Sequence, residues 1–227
     1  MQQTQLKPRK VDFKFGEYIS QGIDLMKKDF GTIFLAFIFA MIMGIIPFCG
    51  MMAIGNFYKV CYKLDKGIPV KADEVFNFDD FMPYFMFQIF IILGFIVAFI
   101  PMGILMFIFN NNETISGILV IVYMFAFYFL MFYLLLQAFY IPALITFTKI
   151  TDVKAAWNIS KVMTRGNLWT LFFFSIATVF LGELGILLCG IGILITIPFV
   201  YVSHYFAFKD GLTQIEFDDI TEIGQKI

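Results

Sequence analysis

Glu183 is the one carboxylate inside the apolar run from Leu168 to Phe208, which also carries the only histidine, His204. A carboxylate at mid-depth in hydrocarbon costs about 2.5–3.5 kcal/mol or more, so such a residue serves proton or substrate coupling unless it reaches the headgroups. Helical rise puts Glu183 about 22 Å beyond Leu168, near the far boundary. No basic side chain in the other apolar runs can pair with it, and Gly182 and Gly185 flank it. An interfacial or structural role is expected, with coupling as the alternative. Gln88, Gln137, Asn56 and His204 are the other polar groups in apolar runs. Side chains of this kind bond across helices, at about 0.6–2 kcal/mol each. His204, close to Lys209, is expected to face the headgroups.

The remaining chemistry is sparse. Cys49, Cys61 and Cys189 form no CxxC pair, and one histidine cannot build a histidine-based metal site. Cys49 and Cys189 both fall at expected turns, where an oxidising compartment would permit a disulfide. No nucleophile, metal cluster or acid–base pair is visible. No catalytic, cofactor-binding or metal-ligating residue is therefore assigned, and the expectation is a protein that is not an enzyme.

Composition explains what must position these groups. Of 227 residues, 60% are hydrophobic and 15% charged, with 32 phenylalanines. Soluble domains carry roughly 25% charge, and a soluble fold could not bury so much apolar surface. The class is an integral membrane protein, all-α. A net charge of −1 argues against a nucleic-acid partner. Lys7, Arg9, Lys10 and Lys14 open a charged stretch that continues to Lys28. The first apolar run begins too late for a secretory signal, and no cleavage site follows it.

Four apolar runs span Gly31 to Tyr58, Met82 to Phe109, Ile115 to Phe147 and Leu168 to Phe208. Splitting only the last gives five spans, with ten Lys and Arg outside against six inside. Splitting the first as well, at Pro47-Phe48-Cys49-Gly50, puts all 16 on one side. The positive-inside rule makes that side cytoplasmic. The expected architecture is a bundle of six transmembrane helices in three hairpins, with both termini cytoplasmic. The second helix (about Phe48 to Leu64) and the sixth (about Ile193 to Phe208) rise only about 24 Å, short of a ~30 Å core. A re-entrant hairpin would preserve the same charge asymmetry.

Amphipathic stretches precede each hairpin: Phe15 to Phe30, Val75 to Met82, and Ala155 to Met163 with Thr151 or Asp152 as N-cap. They predict interfacial helices on the cytoplasmic side, with cytosolic elbows packed on the bundle as the alternative. Residues 19–67 and 159–211 share an order of features consistent with a parallel repeat. The expected divisions are a basic tail over 1–14, one membrane domain over 15–211 and an acidic tail over 212–227. That tail sets Ile215, Phe217, Ile220 and Ile223 among acids and is a candidate acidic helix for docking a partner, with disorder as the alternative. Lys27, Lys28, Lys59, Lys63, Lys161 and Arg165 are the candidate headgroup contacts.

Ser160, Met163, Gly166 and Asn167 before a Phe-rich span resemble a pattern of an uncharacterised bacterial multi-span family. Gly190, Gly192, Pro198, Tyr205 and Ala207 are similar to its closing motif. Related domains form the membrane portion of some bacterial glycerophosphodiester phosphodiesterases. The resemblance implies a six-helix fold with no established activity, and no catalytic residue carries over, since the soluble catalytic barrel of those fusions has no counterpart here. The functional expectation is an accessory or scaffold component. Its partners would be membrane lipids, or other membrane proteins met through apolar helix faces or the acidic tail. A small transporter or lipid-handling protein using Glu183 is the alternative.

Overall fold

Asp29 is where the first two helices part. The computed structural model describes residues 5–109, 113–187 and 192–217. In it α1 (Phe15–Lys28) carries charge on one face and buries Tyr18, Gly22 and Leu25 on the other. Non-helical backbone at Asp29 ends it, and the Asp29 carboxylate accepts the Thr32 N–H at 3.1 Å. That cap starts α2 (Phe30–Gly44), which is apolar on every side. A tight turn with Phe48 at φ 64° reverses the chain into α3 (Gly50–Asp65), packed along α2.

Two long helices follow. α4 (Phe81–Ile108) has 28 residues and α5 (Glu113–Gln137) has 25. A short break leads into α6 (Ile141–Thr148), where Pro142 occupies the first turn and costs no helical hydrogen bond. Lys149 in the left-handed region ends it. α7 (Val153–Thr164) starts at Asp152, whose carboxylate accepts the Lys154 N–H at 2.9 Å. α8 (Leu168–Glu183) runs on through a 3-10 turn at Leu184–Leu187, and α9 (Gly192–Ile215) returns along it. β1 (Gln5–Leu6) and β2 (Glu216–Phe217) pair antiparallel, so residues 5–14 form a strap across the charged end of the bundle.

The fold is all-helical apart from that pairing, and four segments are long and apolar enough to cross a membrane: Phe81–Ile108, Thr114–Thr148, Leu168–Ile186 and Gly192–Ile215. The last corrects an expectation. The final helix does not stop near Phe208 but continues through Lys209 and Asp210, for about 36 Å. α2 and α3, at 15 and 16 residues, stay short. The middle amphipathic stretch is a second correction, because it is no helix. A 3-10 turn, Ala72–Val75, gives way to irregular chain up to Asp80. The Asn56 amide donates to the carbonyls of Val75 (2.9 Å) and Asn77 (2.6 Å), groups a helix would have bonded internally.

The core lies where α1, α2, α3, α6, α8 and α9 meet, with Tyr18, Ile33, Met52, Phe57, Leu144, Phe174 and Tyr205 fully buried. The element order α1–α2–α3 recurs in α7–α8–α9: an amphipathic helix, an apolar helix and a returning helix. α4 and α5 each pack on the other more than on any other single element, α5 also touching α7 and α8, and both leave most of their apolar surface uncovered.

Candidate functional site

Polar side chains converge at the charged end of the bundle around three aspartates, Asp80 and Asp65 at helix ends and Asp210 in the last turns of α9. Asp80, at the head of α4, is 8% exposed and receives Lys59 of α3 at 2.6 Å and Lys149 at 2.7 Å. Lys59 also donates to the Asn56 amide oxygen at 2.9 Å, so one network ties α3, the 75–80 chain and the end of α6. Burial alone would raise the Asp80 carboxyl. Hydrogen bonds from Lys149 and Lys59 outweigh it and hold the group below the usual aspartate range.

Asp65, the last residue of α3, accepts the Tyr205 hydroxyl at 2.8 Å and the Lys209 ammonium at 2.6 Å, fastening α3 to α9. Asp210 accepts Tyr18 at 2.6 Å, Gln214 at 2.7 Å and Lys14 at 3.3 Å. Burial, then the bond to Asp210, pushes the Tyr18 phenol upward, and the same carboxylate raises Lys14. Gln214 exchanges hydrogen bonds with the Asp12 backbone, Arg9 donates to its carbonyl, and Asn167 donates to the Val11 carbonyl. These contacts hold the strap down, and its Val11 is fully buried against the bundle. Lys63 pairs with Glu74, whose carboxyl is held low by that lysine. Each of these carboxylates is already occupied by donors, so the arrangement locks helices together. Among the described residues no group of three or more His, Cys, Asp or Glu could hold a metal ion. A cleft of about 380 Å³ opens beside Asp65, between Gln21, Asp24, Lys28 and Lys209.

The residues singled out from the sequence are dispersed. Glu183 is exposed at the last position of α8, at the end of the bundle away from the aspartates. Gly182 and Gly185 abut α9 so tightly that a Cβ on either would overlap Val200 or the Gly192 backbone, which turns Glu183 outward. Gln88 donates to the Phe48 carbonyl at 2.8 Å, satisfying the strained turn between α2 and α3. Gln137 is buried at the end of α5, and its carbonyl accepts the Ser160 hydroxyl at 2.6 Å. His204 does not face the headgroup region. Its ring packs against Phe139, Phe174 and Phe208, and Nε2 lies 3.4 Å from the Thr178 hydroxyl.

Among the lysines, Lys59 and Lys63 are in ion pairs, and Lys28 donates to the Leu64 carbonyl at 3.2 Å. Lys27, Lys161 and Arg165 are exposed. Cys49 is buried with a free thiol, while Cys189 and residues 218–227 of the acidic tail lie outside the described residues.

Comparison with family models, curated proteins and solved structures finds no match. Function must therefore be argued from the chain's own geometry. The aspartate–lysine–tyrosine clusters are not apparent in the sequence, although residues 19–67 and 159–211, whose shared order of features suggests a repeat, each close on an Asp-Lys or Lys-Asp pair followed by glycine. The usable signal was a lone acid closing a helix, with tyrosine and lysine at i and i+4 on the returning one, as Tyr205 and Lys209 are.

Proposed function

We propose that this chain is a non-catalytic component of the bacterial inner membrane that acts by binding other membrane proteins or lipids. One observation carries the reading. The converging polar groups pair with one another at one end of the bundle, while α4 and α5 leave long apolar faces uncovered. Groups spent on fastening helices are poorly placed to bind and release a solute, and coupled transport calls for polar groups gathered near mid-depth. Reconstitution into liposomes tests it. No saturable solute flux is expected, and flux abolished by Glu183→Gln would overturn the reading in favour of a small transporter.

The charge partition supports both termini on the cytoplasmic side. A count of six spans treats α2 and α3 as crossing, but a depth argument favours a re-entrant pair. Gln88 holds the α2–α3 turn only seven residues into α4, and the 20 residues beyond run for about 30 Å, a full hydrocarbon core. On this reading four helices cross, while α2 and α3 dip in and return. Single cysteines in a background without native ones separate the two readings. Thr114→Cys is expected to react with an impermeant reagent from outside and Ile45→Cys from neither side. External labelling of Ile45→Cys would restore six spans.

A further inference from the structure

A groove of about 870 Å³ runs between α5 and α8, walled by Phe125, Phe129, Phe132 and Leu136 on one side and Trp169 and Phe172 on the other. Phe132 meets Phe172 edge-on with ring centroids 5.2 Å apart and closes its floor. Phe125, Phe129 and Trp169 stay 65%, 67% and 75% exposed, so the groove is open along its length. From Phe125 to Leu136 it extends about 16 Å along α5, the depth of one leaflet.

Its mouth is cationic. Ser160 accepts the Tyr140 N–H at 3.1 Å and donates to the Gln137 carbonyl at 2.6 Å, which seats α7 across the end of α5 just past Leu136. Lys161 follows on that helix, and Arg165 ends it three residues before Leu168, which also lines the groove. Gly166, at φ 80°, brings the chain so close to the strap that the Lys10 ammonium lies 3.0 Å from where a Cβ would stand. Lys10, Lys161 and Arg165 are exposed and take no part in the ion pairs found among the described residues. Three exposed cations, none in an ion pair among the described residues, thus lie on the strap and on the α7–α8 segment that borders the polar end of an apolar slot one leaflet deep.

Resting on the lipid-binding half of the proposed function, we infer that this groove holds the acyl chain of an anionic glycerophospholipid whose phosphate sits among Lys10, Lys161 and Arg165. A net negative headgroup fits better than a zwitterionic one, because the ammonium of the latter would oppose all three cations. The occupant is a bound lipid, distinct from the exchanging lipid around any membrane helix. Trp169 faces the slot and serves as the reporter.

The test uses the full chain carrying Trp157→Phe, so that Trp169 is the only tryptophan, in phosphatidylcholine vesicles. A minor fraction of brominated phosphatidylglycerol is compared with the same fraction of brominated phosphatidylcholine. Several-fold stronger quenching by the anionic lipid is expected. Lys10→Gln, Lys161→Gln and Arg165→Gln together should remove that preference, and Arg165→Gln alone should reduce it. Equal quenching by both lipids, or a preference unchanged in the variants, would overturn the inference. Recovery of a protein partner from native membranes is independent of this outcome, so failure here leaves the protein-binding half of the proposed function standing.

Discussion

Gly55 of α3 and Gly94 of α4 are both mid-helix glycines in apolar helices, yet their surroundings are opposite. A Cβ on Gly55 would overlap the Tyr84 ring and meet the Thr146 hydroxyl at 2.9 Å, whereas Gly94 has nothing within 4 Å. The difference extends to the regions around them. The bundle of α1–α3, α6, α8 and α9, joined by the first two turns of α4, fits together as closely as a soluble core, with Tyr84 of α4 donating to the Pro142 carbonyl and sharing a 2.6 Å hydrogen bond with Thr146. Beyond Phe87 the described residues of the α4–α5 hairpin bury Phe127 between Phe95 and Phe99 and, at the far end, Gln137. One region is specified by its own side chains. The other has a surface suited to fluid surroundings, where many shapes serve equally well.

The sharpest way to test that contrast is the same substitution in both places. Gly55→Leu forces Tyr84 out of two hydrogen bonds and overfills the packing, at a cost of about 3 kcal/mol. Gly94→Leu should be neutral or slightly stabilising, by up to about 1 kcal/mol, because it removes only a flexible helical glycine. Thermal unfolding in detergent reads both. Equal loss at the two sites would mean that α4 packs against something the bundle does not supply.

Asp80 is the joint between the two regions, so breaking it should come next in size. Asp80→Asn removes the charge that gathers Lys59 and Lys149, costing about 2 kcal/mol. A carboxyl held below its ordinary value of 3.8 stabilises the fold fully above that pH, and the contribution vanishes as pH falls through the lower folded value. Wild type should therefore lose stability in acid below about pH 4, and the Asn variant should lose less over the same range. Identical acid limbs would show that Asp80 is not the joint.

A smaller effect belongs within the hairpin. The Tyr123 hydroxyl donates to the Ala98 carbonyl and is a direct polar link between α4 and α5. Tyr123→Phe should cost about 0.6 kcal/mol, the usual value of a hydrogen bond between membrane helices. A large loss would show that this one link, and not apolar contact, keeps the hairpin closed.

The same contrast governs what the sequence could reveal. Helices α4 and α5 were legible because uninterrupted apolar runs of that length have few other uses, and α7 because Asp152 caps an amphipathic stretch; the end of α9 was not, since Lys209 and Asp210 close the apolar run while the helix continues. The middle amphipathic segment misled because the pattern Val75, Phe76, Phe78, Phe81 fits a helix. The competing bonds come from Asn56, some 20 residues away, and sequence spacing carries no record of them. The aspartate clusters were hidden for the same reason: Asp210 meets Tyr18 across 192 positions. Glu183 drew notice as a charge in an apolar run, a signal of composition and not of convergence.

Glu183→Gln should then have the smallest effect of all. The residue is exposed and terminates α8, with two tightly packed glycines turning it from α9, and no ion pair engages it among the described residues. A side chain at a helix end near the membrane boundary reaches water or headgroups, where a carboxylate and an amide cost nearly the same. Expression, thermal stability and any pH-dependent phenotype should match wild type within about 0.5 kcal/mol or its equivalent. If the substitution abolished function in a folded protein, the bundle would be more than a fastened platform. Glu183 would then need a proton path along α8, and the polar end of the molecule would no longer be the end that matters.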